Sequence, residues 1–229
     1  MERARAAELL LEYLNYGGYP RVVLEVETRG QLLKTLADRT GKIITYAELA
    51  TTLGISLPTL KNYCWYAEET YVLQRITPFF RNIRSEISKA PAVYFSDLGF
   101  RNFALGVMGH LQRPDDLGFA FQNLVYLVLR EKLGWSGARI HFWRTTAKTE
   151  IDFVIESGRR LIPVEVKYRE LAKPAVPRAL DGFSGKYNPE RCLVVNRSLR
   201  TTVHVRKTEV RFMTIWDLLL EDLGLADQG

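Results

Sequence analysis

The run Glu150-Ile-Asp-Phe-Val-Ile-Glu-Ser-Gly-Arg-Arg-Leu-Ile-Pro-Val-Glu-Val-Lys167 constrains the fold more than any other stretch of the chain. Polar and apolar residues alternate as far as Ser157, the pattern breaks at Gly158-Arg159, and a β-branched run resumes toward Tyr168, which specifies two antiparallel strands. Gly158, at the first loop position, suits a two-residue turn that needs a positive φ. With Ser157 and Arg160 closing that turn, the register sets Asp152 opposite Glu165 and Glu150 opposite Lys167, all four on one face. Ile151, Phe153 and Ile155 then meet Ile162, Val164 and Val166 on the other face, so the sheet is expected to pack on one side only. Pro163 is the discordant residue, since proline donates nothing to a ladder and favours edges.

Directly opposed residues stand about 5 Å apart at Cβ, so Asp152 and Glu165 repel unless a divalent cation shares them. Mg²⁺ or Mn²⁺ is the expected ion, because the donors are oxygens. Lys167, one pleat from Glu165, points at the same ion and could orient or deprotonate a water, or steady a pentacoordinate phosphate. The chemistry implied is phosphodiester hydrolysis. A solvated hairpin with a cross-strand Glu150–Lys167 ion pair accounts for the charges equally well, but it does not predict a wholly apolar opposite face.

At 229 residues and 47% hydrophobic, the chain can bury a core of one or two domains. No apolar run reaches the span of a membrane helix, and residues 1–14 alternate Glu and Arg with Ala and Leu as an amphipathic helix does, which predicts a cytoplasmic protein away from membranes. Cys64 and Cys192 are isolated, and His110, His141 and His204 share no ligand spacing with them, so neither disulfides nor zinc are expected. The net charge of +6 suits nucleic-acid phosphates, with basic residues gathered at 75–89 and 186–211. No GxxxxGK[ST] loop occurs, so no nucleotide is expected on this chain; a homodimer stays open.

The first half reads as paired helices. Leu32, Leu33 and Leu36 mark one helix ending at Thr40-Gly41-Lys42, and a second starts near Thr45. Leu49, Leu53, Ile55, Leu60 and Tyr63 fall where a helix-turn-helix makes core contacts, Ala50 where the helices cross, and Gly54 at the turn. Ser56 is placed to cap the next helix, with Pro58 in its first turn. Thr59, Lys61 and Asn62 would project toward a DNA major groove. Residues 71–80 and 92–95 read as strands joined by a basic tip of Arg81, Arg84 and Lys89, giving a winged helix that binds DNA. In the competing reading the module contacts protein, and Trp65, Tyr66 and Tyr71 fill its core. A short helix follows Asp97, and residues 112–116 read as a loop.

The second half predicts a helix over 117–133, strands at 139–143 and in the acidic hairpin, a helix over 176–183, a strand at 192–196, edge strands at 203–205 and 210–212, and a closing helix over 216–223. Helix, three-strand meander, helix, strand is the order of a restriction-endonuclease-like core. The fold class expected is α/β (α+β): a helical segment at 1–30, a winged helix at 31–112 and the α/β core at 113–229.

The chain resembles the carboxy-terminal region of archaeal and bacterial AAA-type ATPases of uncertain function, in which a winged helix precedes a PD-(D/E)XK nuclease-like domain. The resemblance rests on Tyr16-Gly-Gly-Tyr-Pro20, Leu53-Gly-Ile-Ser56, Pro78-Phe-Phe-Arg-Asn82, Val93-Tyr-Phe-Ser-Asp-Leu-Gly99, Phe142-Trp-Arg144, Glu150-Ile-Asp-Phe-Val154 and Glu165-Val-Lys167. It implies nuclease-like roles for Asp152, Glu165 and Lys167. The ATPase module is missing, which makes the chain a stand-alone relative or a fragment, and residues 23–32 are short for the family. Where the early helix of such nucleases offers a glutamate to the metal, this chain has Gln122, which can ligate only through a neutral oxygen. The expectation is a metal-dependent DNA endonuclease in which Asp152 and Glu165 hold Mg²⁺ or Mn²⁺, Lys167 assists the attacking water, and Gln122 and Glu150 support the site. The alternative is a catalytically silent DNA- or protein-binding regulatory module.

Overall fold

The computed structural model describes residues 26–80, 90–107, 111, 114–134, 136–222 and 224. The amphipathic start, the Tyr16–Pro20 motif and the basic tip of Arg81, Arg84 and Lys89 lie outside the described residues.

Three helices open the described chain. Helix α1 (Val26–Asp38) buries Leu32 and Leu36, one helical turn apart on a single stripe. Helix α2 (Tyr46–Leu53) ends at Gly54, whose φ of 64° is the left-handed cap that turns the chain. Ser56 then starts α3 (Leu57–Glu69), its Oγ accepting the Thr59 N–H at 3.2 Å, with Pro58 in the first turn where its missing N–H costs nothing. Leu49, Ala50 and Leu60 are buried between the helices, as expected from their spacing; Leu53, Ile55 and Tyr63 are partly buried against the same cluster, which Cys64 joins. Strands β1 (Leu73–Ile76) and β2 (Ala92–Phe95) pair antiparallel, Leu73 opposite Phe95. Helix α4 (Leu98–Leu105) follows with Asp97 as its cap. Trp65, Tyr66 and Tyr71 do not fill a core; they are 50%, 53% and 71% exposed.

The second region begins with α5 (Pro114–Leu133), which starts earlier than the sequence pattern suggests because Pro114 is pre-set for a first helical turn. Asp115 and Asp116 at its start, with Arg130 and Lys132 in its last turn, complement the helix dipole, so residues 115 and 116 are helix and not loop. The meander β3 (Arg139–Arg144), β4 (Glu150–Ser157) and β5 (Arg160–Lys167) is followed by α6 (Arg178–Tyr187), β6 (Arg191–Asn196), β7 (Thr201–Val205), β8 (Thr208–Thr214) and α7 (Ile215–Leu220). The six strands lie in the order β3-β4-β5-β6-β8-β7, a mixed sheet in an α/β protein. Strand β8 is therefore internal, not an edge: it runs parallel to β6 and leaves β7 outside.

Both faces of this sheet are covered. Phe153, Ile155, Ile162 and Val164 pack with Phe121 and Val125 of α5, whereas Val154 and Val194 pack with Leu180 and Phe183 of α6. The expected one-sided hairpin is thus corrected, since the chain returns through α6 to cover the second face. Pro163 sits opposite Val154, one residue before β5 begins to pair with β6 at Val164, so its missing N–H falls where β5 is still an edge on that side.

The two regions share a core. Ile76, Ala92 and Tyr94 belong to the cluster built on α5, and Tyr94 stacks on Tyr126 with centroids 4.7 Å apart. After β1 the chain runs along the outer edge of β3, where Phe142 N donates to Thr77 O at 3.2 Å and Phe79 N donates to Phe142 O at 2.6 Å. No helix among the described residues is long and apolar enough to cross a membrane.

Candidate functional site

The β4–β5 ladder has the expected register, from Ser157↔Arg160 to Phe153↔Val164, and Gly158 takes a φ of 57° in the turn. It stops one pair short of Asp152 and Glu165. The cause lies on the other side of β4. His141 pairs with Val154 but Trp143 pairs with Ile151, so Phe142 alone opposes both Asp152 and Phe153. This bulge changes the parity of the strand: Ile151, expected beside Phe153 and Ile155, packs instead with Val154 against α6. Glu150 and Lys167 do not pair across the hairpin either. Glu150 stands 3.6 Å from Arg144, and Lys167 Nζ stands 2.5 Å from Glu165 Oε1.

Released from the ladder, the Asp152 carboxylate lies between two elements. Its Oδ2 accepts the backbone N–H of Val166 at 2.7 Å, and its Oδ1 accepts Gln122 Nε2 at 2.9 Å. Burial, and then the neighbouring Glu165 charge, push its carboxyl up to about 8, against the pull of the Val166 N–H and Lys167. Glu165 is 6% exposed, and its Oε2 is buried with no hydrogen-bond partner. Glu150 is also raised, first by burial and then by Glu165, with Arg144 opposing.

Gln122 is placed by α5, with Phe121 and Val125 as its buried neighbours on that helix. Its Nε2 also donates to Tyr94 Oη at 3.0 Å, which brings β2 into the site. Burial and then Asp152 raise the Tyr94 phenol well above its ordinary value. Gly41, with φ of 74°, lies against the same amide: a Cβ there would come within 2.7 Å of Gln122 Oε1. Sequence reasoning missed Tyr94, Gly41 and the Val166 N–H. Tyr94 carries a signal only in retrospect, as a phenol in an otherwise apolar strand.

Asp152, Glu165, Lys167 and Gln122 are thus brought together, with Glu150 alongside. The residues expected on DNA stand on a separate element: Lys61 and Asn62 are exposed on α3, while Thr59 is half-buried, its Oγ1 2.7 Å from Ser56 Oγ.

Among the described residues no group of three or more His, Cys, Asp or Glu is arranged to hold a metal. Two carboxylates nevertheless suit Mg²⁺ or Mn²⁺, ions that keep several waters and take few protein ligands. The unpartnered Glu165 Oε2 and the mutual repulsion of Asp152 and Glu165 are both relieved by a cation between them.

Residues 117–217 match the family described as "Domain of unknown function (DUF4143)", a domain found in the C-terminal region of AAA-ATPase-associated proteins. Residues 24–110 match "Domain of unknown function (DUF8612)". The chain is 27% identical over 147 residues to "Uncharacterized protein Rv2008c" of Mycobacterium tuberculosis and to "Uncharacterized protein Mb2031c" of Mycobacterium bovis, matching 63% of this chain. The match spans 32% of each of those relatives, about a third of their length. Among solved structures, protein VC1899 from Vibrio cholerae aligns over 87% of this chain and 51% of its own, at 12% identity and a TM-score of 0.32. What the comparisons give this chain is a likeness, region by region, to two domains, of which the one matched by residues 117–217 is found in the C-terminal region of AAA-ATPase-associated proteins.

Proposed function

We propose that this chain is a metal-dependent nuclease that hydrolyses DNA phosphodiesters, with α1–α3 and the β1–β2 pair acting as a winged helix on the duplex and β3–β6 as a PD-(D/E)XK-like core. The observation that carries the reading is the bulge at Asp152, which takes one carboxylate out of its ladder and sets it beside a second, buried and incompletely satisfied. Such a device re-aims a side chain at the expense of regular pairing, and bulges gather next to active sites.

In this reading Asp152 and Glu165 hold Mg²⁺ or Mn²⁺, which supplies Lewis acidity and lowers the pKa of a bound water. The Val166 N–H fixes Asp152 Oδ2 and Gln122 fixes Oδ1, so the carboxylate is oriented before the ion arrives. Lys167, released from Glu165, turns its ammonium to the scissile phosphate and stabilises the added charge there. Glu150 stays with Arg144 and adds negative potential at the site's edge.

A specific observation favours the silent alternative. The Gln122 amide donates its N–H to Asp152, partly satisfying the carboxylate that a third acidic ligand would leave to a cation. Plasmid incubated with the full chain and Mn²⁺, against EDTA, separates the two readings. Cleavage that Asp152→Ala and Lys167→Ala each abolish supports the nuclease, whereas folded variants that cut like the parent, or a parent that never cuts, leave a binding module.

A further inference from the structure

The face of α3 that looks away from the core carries rings where a surface helix ordinarily carries charge. Lys61 and Asn62 stand one turn before Trp65 and Tyr66, and all four are exposed. Among the described residues from 61 to 72, every exposed apolar side chain is aromatic. Trp65 and Tyr66 meet edge to face, with centroids 5.1 Å apart, so the two rings hold each other while both stay in contact with solvent.

The residue that closes α3 is harder to explain by folding. The Tyr71 N–H donates to Glu68 O and the Val72 N–H to Ala67 O, each at 2.9 Å, and Tyr71 takes a φ of 58°. That left-handed position after a helix is the one glycine usually fills, because a Cβ there is strained. Tyr71 carries the strain and leaves its ring 71% exposed, so no burial offsets it. Three rings thus crowd the carboxyl end of α3 without serving the core.

We propose that the DNA taken by this chain carries unpaired bases, and that these stack on Trp65, Tyr66 and Tyr71. The inference rests on the reading of α3 as a DNA contact and narrows it to a substrate class: a strand end, a loop or a fork beside the duplex. In a duplex the faces of the bases are already stacked, and a groove presents only their edges, which gives these rings nothing to lie on. Unpaired bases have free faces, and their stacking on aromatic side chains tolerates any sequence. Lys61 and Asn62, a turn away, then meet the backbone and the base edges. Glu68 is drawn to Arg75 in an ion pair, which leaves Glu69 as the exposed acid near the rings. It repels phosphate from the end of α3, so the phosphates of the strand lie toward Lys61 and its bases toward the rings.

Fluorescence anisotropy in EDTA, where nothing is cut, tests this with the full chain on three labelled probes: an oligothymidylate, a duplex, and a fork that joins the two. The strand and the fork are expected to bind more tightly than the duplex. Trp65→Ala should weaken strand and fork binding about tenfold, the loss of one stacked base, and leave the duplex nearly unchanged. Trp65→Phe keeps a ring face and should retain most of the affinity, while losing most of the quenching of indole emission that the strand produces in the parent. Tyr71→Gly should weaken strand binding yet melt no lower than the parent, since the strain leaves with the ring; a ring needed by the fold would lower both. A duplex bound as tightly as the fork, with Trp65→Ala neutral on both, overturns the inference, and if Lys61→Glu still weakens that duplex the DNA reading stands without it. Binding of none of the three probes ends both, and sedimentation that slows in Trp65→Ala would then mark the face as a contact between copies of the chain.

Discussion

Asn123 holds the main chain of Phe95 at both polar atoms, its Nδ2 donating to the carbonyl and its Oδ1 accepting the N–H, each at 2.8 Å. Both residues are fully buried, and a side chain of α5 takes the place of a neighbouring strand at Phe95, beyond the bridges that Thr40 and Ile43 make to Val93 and Ala92. Asn123→Ala strands a buried N–H and a buried C=O together, and should lower stability by about 2–4 kcal/mol. Urea denaturation followed by far-ultraviolet dichroism measures it. Because the two regions share one core, the parent should unfold in a single transition; a loss under about 0.5 kcal/mol would mean that water replaces the amide there.

The Asp152 carboxyl, raised from 3.8 to about 8, makes stability fall with pH in a defined direction. The folded state holds this proton more tightly than the unfolded chain does. Its contribution is complete below the unfolded value and is lost as pH rises through the folded one. In metal-free buffer the urea midpoint should therefore drop between about pH 4 and about pH 8, and Asp152→Asn should flatten that drop. Added Mn²⁺ should restore part of it at the alkaline end. A midpoint whose pH dependence is the same in parent and variant would show that Asp152 titrates normally.

How far this site could be read from sequence depends on which residues are involved. The register was legible because Gly158 pins a two-residue turn, and the charges then follow by counting. The bulge was not, because an extra residue in a strand leaves the alternation of Glu150-Ile-Asp-Phe unchanged on paper and shows only when Phe142 is seen against two partners. Helices α2 and α3 were placed by local chemistry, a left-handed glycine and a serine cap, which act within a few residues. Tyr94 and Gly41 reach Gln122 from 28 and 81 residues away in the chain, and no local pattern encodes such meetings.

Gln122→Glu should tighten Mn²⁺ binding about tenfold, by giving the site a third anionic oxygen on the helix that already contacts Asp152. Without metal the same change should lower the melting temperature, since it replaces a donor to Asp152 with a repelling charge. Calorimetric titration of parent and variant with Mn²⁺ decides it, and equal affinities would place Gln122 outside the coordination sphere while leaving the two-carboxylate site intact.

On the DNA side, Lys61 is exposed on α3, two positions past Thr59 and beside Asn62. Lys61→Glu should weaken duplex binding about tenfold and reduce the slope of log affinity against log salt, because a phosphate contact is lost and a repulsion added. Lys173→Glu, an exposed change in the loop before α6, serves as the comparison. Equal losses from the two, read by fluorescence anisotropy over a salt series, would remove α3 from the interface.

The strip of chain at residues 77–79 also bears on how this protein tolerates dissection. By donating to and accepting from Phe142, it closes the outer edge of β3, which would otherwise present bare main-chain groups beside apolar side chains. A piece cut to residues 117–217 alone would keep all six strands and lose that cover. Its first failing would then be colloidal, with β3 recruiting β3 from another molecule, so poor solubility of such a piece would report an uncovered edge and not an unfolded core.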